Sequence, residues 1–294
     1  MMIRPLIRLM RPSQWLKNVF VFMPLFFDRH AADWHYVWPC LLATLAFCLA
    51  ASGVYCFNDI HDAEADRRHP QKRLRPVASG AVSRRTAYAV TGVAWMLALA
   101  LATLGRYAMP GALAATLLGY ILMNVAYCVW LKHVAIVDVF VIATGFVLRI
   151  VVGAQSTGII LSHWMVLTTF LLALFLALAK RRDDVVIYAT SGQKTRQDVD
   201  RYGIDFLTSA ISILGAVTIM CYILYTVSAE VVGRVGSPYL YTTSVFVLAG
   251  ILRYLQLTLV DQRSGSPTQV LLHDRFIQLC IVGWLTAFTI ILYV

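Results

Sequence analysis

Four side chains between residues 58 and 66 have the types and spacing of a cation site. The stretch VYCFNDIHDAEADRRHPQKRLRP carries Asn58, Asp59, Asp62 and Asp66. On a helix, Asn58, Asp62 and Asp66 recur every fourth residue. Asp59 stands three before Asp62 and seven before Asp66, so all four share one face. Like charges at this spacing repel, and a divalent cation removes the penalty. Mg²⁺ suits such oxygen ligands, because it commonly takes one or two carboxylates together with substrate phosphates. Asp59, Asp62 and Asp66 are therefore the expected metal ligands. Glu64 falls off the shared face. The run that follows holds Arg67, Arg68, Lys72, Arg73 and Arg75. Alone it reads as an anchor to anionic lipid heads. Beside a row of acids it reads as a site for several phosphates, since Arg grips phosphate with two parallel bonds and Lys acts as a point charge.

A second charged stretch, KRRDDVVIYATSGQKTRQDVDRYG, begins at Lys180. Lys180, Arg181 and Arg182 mark a membrane edge, and Asp183 and Asp184 follow at once. Lys194, Arg196, Asp198, Asp200, Arg201 and Tyr202 come next, with a turn expected at Ser191-Gly192. A purely basic anchor has no use for the acids, so function is expected of at least one of Lys180, Asp184 and Arg196.

Elsewhere the polar signals are sparser. Lys17 and Asn18 lie beside Trp15, where an aromatic and basic interface anchor is the plain reading. Asp138 and Arg149, eleven residues apart in one apolar run, share a helix face. Charges inside a span are functional hypotheses by default, although Arg149 could equally pair with a carbonyl. The segment 261–275 either caps the site or makes a turn. Six cysteines, with no CxxC pair, read as small packing residues.

The elements that must position these groups follow from composition. Of 294 residues, 60% are hydrophobic and 14% charged, with a mean hydropathy of +0.71. A soluble domain of this size cannot bury so much apolar surface. Runs of about 20 apolar residues occupy 37–58, 86–104, 109–131, 135–156, 162–179, 206–229, 238–259 and 276–294. A shorter candidate, 15–28, is interrupted by Pro24. The expectation is an all-α, polytopic membrane protein of about nine helices, forming one domain over 1–294. With the N-terminus inside, 20 of the 25 basic residues fall on the cytoplasmic side, against Arg29, Arg106 and Arg234 outside. The basic start, MMIRPLIRLMRPSQWLKN, reads as a retained cytoplasmic segment and not as a cleaved signal. The net charge of +10 then reflects orientation and an anionic substrate, not nucleic acid. Two polar loops, 59–85 and 180–205, are expected to carry the cytoplasmic active site. A transporter would place its charges near the midplane, whereas these cluster at one edge. Whether the chain forms a homo-oligomer is open, because intramembrane interfaces leave little trace in sequence.

The N-D-x-x-D-x-x-x-D pattern at Asn58, Asp59, Asp62 and Asp66 resembles the signature of the UbiA superfamily of intramembrane prenyltransferases. RPSQWLKNVFVFMPLFF, HPQKRLRP, WLKHVAIVDVFVIATGFVLR, AKRRDD and GSPTQVLLHDR are similar to its phosphoribosyl-transferring subgroup, which acts on decaprenyl phosphate. Prenyltransferases carry a second D-x-x-x-D pattern near 180–205. Here Tyr188 and Tyr202 stand where its second acid would fall. The subgroup resembles instead a Lys-Arg-x-x-Glu pattern, read here as Lys180, Arg181 and Asp184, with a shorter acid at the end.

The resemblance implies nine helices around a central cavity open to the cytoplasm, in a bacterial inner (plasma) membrane. It implies transfer of 5-phosphoribose from phosphoribosyl diphosphate (PRPP) to a polyprenyl phosphate, with Mg²⁺ and release of diphosphate. The product would serve as an arabinan precursor for the cell wall. In that reading Asn58, Asp59 and Asp62 form the catalytic centre. Lys72, Arg73 and Arg75 hold donor phosphates. Lys180 and Arg196 hold the 5-phosphate or the lipid phosphate, Tyr202 donates a hydrogen bond, Arg181 and Asp184 belong to the same substrate-binding set, and Lys17 guides the lipid head. The alternative within the superfamily is transfer of an isoprenyl group from its diphosphate to an aromatic acceptor.

Overall fold

A computed structural model describes residues 3–68, 72–191, 202–262 and 267–293. Among them there are helices and no strand. Eight segments are long and apolar enough to cross a membrane: Trp34–His61, Arg84–Leu104, Pro110–Val129, Val137–Thr157, His163–Thr190, Ile204–Val227, Pro238–Leu259 and Arg275–Tyr293. Their outward faces carry large apolar side chains such as Met96, Leu122, Ile213, Val245 and Leu279, each around half exposed or more. Such faces belong against lipid, where a helix satisfies its own backbone hydrogen bonds. The chain is a multi-pass membrane protein.

It divides into two compact units, Met1–Leu161 and Ser162–Val294. The first contains α1 (Ile3–Met10), a 3-10 helix (Pro12–Phe22), α2 (Met23–Phe27), α3 (Trp34–His61) and α4 (Ala63–Arg67). A short 3-10 turn (Lys72–Leu74), α5 (Arg84–Leu104), α6 (Pro110–Val129), a second 3-10 turn (Leu131–His133) and α7 (Val137–Thr157) complete it. The second contains α8 (His163–Ser191), α9 (Ile204–Val227), α10 (Ala229–Val235), a 3-10 helix (Pro238–Thr243), α11 (Ser244–Leu259), α12 (Pro267–His273) and α13 (Arg275–Tyr293).

In the first unit α3 is central and packs on α5, α6, α7 and the long 3-10 helix. Its buried face is rich in Ala, Ser and Gly, including Ala43, Ala46, Ala50, Ser52 and Gly53. Small residues let helix backbones approach closely, which drives association where no hydrophobic effect operates. Gly153 of α7 shows the limit. A Cβ there would lie 1.9 Å from the Val21 carbonyl oxygen of the 3-10 helix, so only glycine fits.

Two expectations change. Segment 15–28, read as a possible ninth span, forms most of the 3-10 helix and then the five-residue α2. Pro12 and Pro24 each lack the amide hydrogen that an uninterrupted α-helix would use. The expected loop from Lys180 begins as helix: α8 continues through Ser191, twelve residues beyond the expected end of its span. Nothing in that stretch breaks a helix, since the first glycine is Gly192.

Candidate active site

The first constellation lies at the end of α3. The amide of Asp62 donates to the Asn58 carbonyl at 2.9 Å, and that of Asp66 to the Asp62 carbonyl at 2.8 Å. The helical path thus runs on from α3 into α4 with only a turn at Asp62, and the four residues keep one register. Asp59 is 1% exposed and Asp66 4%, burial that carboxylates tolerate only with partners.

Those partners come from other segments. Arg11 Nη2 donates to Asp59 Oδ1 at 2.7 Å. Arg75 Nη1 donates to Asp66 Oδ2 at 2.6 Å, and its Nε lies 3.8 Å from Asp59 Oδ1. One guanidinium therefore links Asp59 and Asp66. Asp62 turns instead to Lys132, whose Nζ donates to Oδ1 at 2.5 Å. Asn58 Oδ1 accepts a hydrogen bond from the Cys128 thiol at 3.3 Å. Asp59 Oδ2 is buried and has no hydrogen-bond partner among the described residues. Leaving such an oxygen unsatisfied costs about 1–3 kcal/mol, which a bound cation would recover. The oxygen-only donor set at Asn58, Asp59, Asp62 and Asp66 suits Mg²⁺. Among the described residues no three His, Cys, Asp or Glu side chains converge as a closed cage, so any such ion would need oxygens from a substrate.

Arg11 and Lys132 escaped the sequence reading. They stand 48 and 70 residues from the acids they meet. The signals were Arg11 opening RPSQWLKN and Lys132 within WLKHVAIVDVF, and the first of these segments is itself built to position its arginine. Trp15 Nε1 donates to Ser52 Oγ at 3.0 Å, and Ser52 Oγ donates to the Met10 carbonyl at 2.9 Å. Asn18 Nδ2 lies 3.0 Å from Cys48 Sγ. Arg149 Nε donates to Asn18 Oδ1 at 2.9 Å, and Nη1 to the Gly145 carbonyl at 2.7 Å. The Arg149 guanidinium also lies 4.7–5.6 Å from the rings of Phe47, Tyr120 and Phe146. Arg149 is thus a strut holding the N-terminal segment on α7, and of its two readings the carbonyl pairing is the one present. Lys17 is half-buried on the 3-10 helix, Lys72 is half-buried, and Arg73 is exposed. Asp138 is buried at the start of α7.

In the second unit two arginines of the charged stretch bond to residues of that unit. Arg181 is buried, with Nη1 3.6 Å from Asp184 Oδ2 one turn along α8. Arg182 Nε donates to Thr208 Oγ1 at 3.0 Å, and Nη1 to the Thr258 carbonyl at 2.6 Å. It ties α8 to α9 and α11. Lys180 is exposed, Asp183 is buried, and Tyr202 is buried with its ring stacked on Phe206. Lys194, Arg196, Asp198, Asp200 and Arg201 lie outside the described residues, as do 263–266 of the 261–275 segment. The rest of that segment is α12 followed by Asp274. Asp274 Oδ2 takes two bonds from Arg253, at 2.9 and 3.2 Å, while Oδ1 accepts from the Ile277 amide at 2.9 Å. These hydrogen bonds, from Arg253 foremost, hold its carboxyl below the usual range.

A helical membrane protein with carboxylates gathered at the end of a small-residue helix is the class that fold and site define. The chain belongs to the UbiA prenyltransferase family, whose pattern matches residues 20–280. It is 32% identical over 95% of its length to a decaprenyl-phosphate phosphoribosyltransferase of Mycolicibacterium smegmatis, covering 90% of that protein. It is likewise 32% identical to one from Mycobacterium tuberculosis, over 95% of this chain and 91% of the relative. A UbiA homologue from Archaeoglobus fulgidus, solved with GPP and Mg²⁺, superposes with a TM-score of 0.69 over 99% of this chain and 100% of that one, at 19% identity. That likeness bears on the fold.

Proposed function

We propose that this protein transfers 5-phosphoribose from phosphoribosyl diphosphate to a polyprenyl phosphate, releasing diphosphate, on the cytoplasmic face of the inner membrane. The reading is supported chiefly by the row of acids on α3 and α4, met by guanidiniums from distant segments, in a chain alike over nearly its whole length to phosphoribosyltransferases of that name. The missing second D-x-x-x-D pattern favours it over isoprenyl transfer.

In the reaction a lipid phosphate oxygen bonds to the anomeric carbon as that carbon's bond to the diphosphate breaks. The acceptor oxygen is already ionised, so no strong base is required. Asp59, Asp62 and Asp66 would hold Mg²⁺, with Asn58 orienting a water or a ribose hydroxyl. Bound there, the ion would draw charge from the leaving diphosphate. Arg75, bridging two carboxylates, can exchange one of them for a substrate phosphate oxygen, and Lys72 and Arg73 extend the same positive strip. Lys17 is assigned to the lipid head. Lys180 and Arg196 are assigned to the 5-phosphate or the lipid phosphate, Tyr202 to a hydrogen bond with it, and Arg181 and Asp184 to the same substrate-binding set.

Vesicles holding the full chain, given ribose-labelled donor and polyprenyl phosphate, test this. Label should enter the lipid fraction with Mg²⁺-dependent diphosphate release. Absence of lipid label, with transfer of an isoprenyl group onto an aromatic acceptor, would overturn the proposal in favour of the other chemistry of the family.

A further inference from the structure

The arginines of α1 have no place in that scheme. This helix lays Leu6, Leu9 and Met10 on a cluster that includes Cys56, Ile60, Val77 and Val82, which leaves its other sides outward. Arg4 and Arg8, four residues apart, share one of those sides. Together with Ile7, Arg11, Arg75 and Pro76 they line a cavity of about 510 Å³. Arg11 and Arg75 are the residues that engage Asp59 and Asp66. Neither Arg4 nor Arg8 meets a carboxylate among the described residues. The lining arginines thus bring four positive charges against two carboxylates. That excess of two is what a phosphate monoester offers, at about −1.5 to −2 near neutral pH.

Backbone geometry agrees with a constrained role for Arg11. It sits at φ 51°, ψ 60°, in the left-handed region, which residues other than glycine seldom adopt. Pro12 behind it disfavours the ordinary helical conformation. The chain therefore leaves α1 through a sharp turn at a residue that lines the cavity and bonds to Asp59.

We propose that Arg4, Arg8, Arg11 and Arg75 form a receptor for a phosphate monoester beside the acid row. Its two candidate sources, the lipid acceptor's head and the donor's 5-phosphate, rest on the function proposed above; the receptor itself rests on the cavity. Four guanidiniums give such a group paired, charge-assisted bonds, and Ile7 and the prolines supply an apolar wall.

Phenylglyoxal modification of the full-length protein in detergent, mapped by peptide mass spectrometry, uses inorganic phosphate as the probe. Phosphate should protect Arg4 and Arg8, and chloride at equal ionic strength should not. The R4Q/R8Q variant should raise KM for one phosphate substrate by about tenfold while kcat stays within about twofold. A rise for the lipid assigns the receptor to the acceptor; a rise for the soluble donor assigns it to the 5-phosphate. R4K/R8K should recover part of the loss, which a packing defect would not allow. No protection, with both KM values unchanged, overturns the receptor while leaving the proposed reaction standing. Protection in a protein that transfers no phosphoribose keeps the receptor and removes the reaction.

Discussion

In the first unit Asp59, Asp62 and Asp66 are met by Arg11, Arg75 and Lys132, three cations from three separate segments. In the second, Arg181 meets Asp184 within one turn of the same helix, and Arg182 spends its donors on a threonine hydroxyl and a backbone carbonyl. Both stretches look alike as strings of acids and bases at a membrane edge. The difference lies in what would be lost by exchange. A guanidinium shared between two carboxylates can trade one of them for a phosphate. One bonded to a buried backbone carbonyl cannot leave without orphaning it. Arg75 therefore holds exchangeable charge, and Arg182 holds charge that fastens helices together.

The largest effect expected from that contrast is at the acid row. Asp59→Asn or Asp62→Asn should cut Mg²⁺-dependent turnover by about a hundredfold or more, while detergent-solubilised protein keeps its unfolding temperature to within a few degrees. Chelation of divalent cations from the wild type should do the same, reversibly. Full activity in either variant would remove the cation from the scheme. Next in size is Arg75→Gln, which strips the shared partner from Asp59 and Asp66. A loss of roughly ten- to a hundredfold in kcat/KM for the donor is expected.

Arg182→Gln should behave in the opposite way. It should lower stability by about 1–3 kcal/mol, through the stranded Thr258 carbonyl, with donor KM nearly unchanged in the protein that remains folded. A large rise in KM at normal stability would erase the distinction between the two units. The smallest effect concerns Asp274. Its carboxyl is depressed, so its contribution is present above the unfolded value, about 3.9, and is lost as pH falls through the lower folded value. At most about 1 kcal/mol is involved for a partly exposed pair. Thermal unfolding of wild type and Asp274→Asn from pH 6 to 3 should show the gap between them closing toward the acid end.

How much was legible in the sequence follows from the range of each interaction. The spans could be read because apolar runs of helical length are a local property, and eight of the expected nine have helical counterparts. The continuation of α8 past Lys180 was hidden because membrane-edge charges end an apolar run without ending a helix. The shared face of Asn58, Asp59, Asp62 and Asp66 needed only helical periodicity. Arg75 was found because it lies nine residues from Asp66.

Arg11 and Lys132 were invisible to such reasoning, since partners 48 and 70 residues away leave no spacing to read. The sequence by itself therefore determined that this is a helical membrane protein with a row of carboxylates at a helix end, because composition and periodicity are properties of short stretches. Only the tertiary structure decided which cations reach that row and which arginines merely brace helices. Those choices depend on packing between segments far apart in the chain.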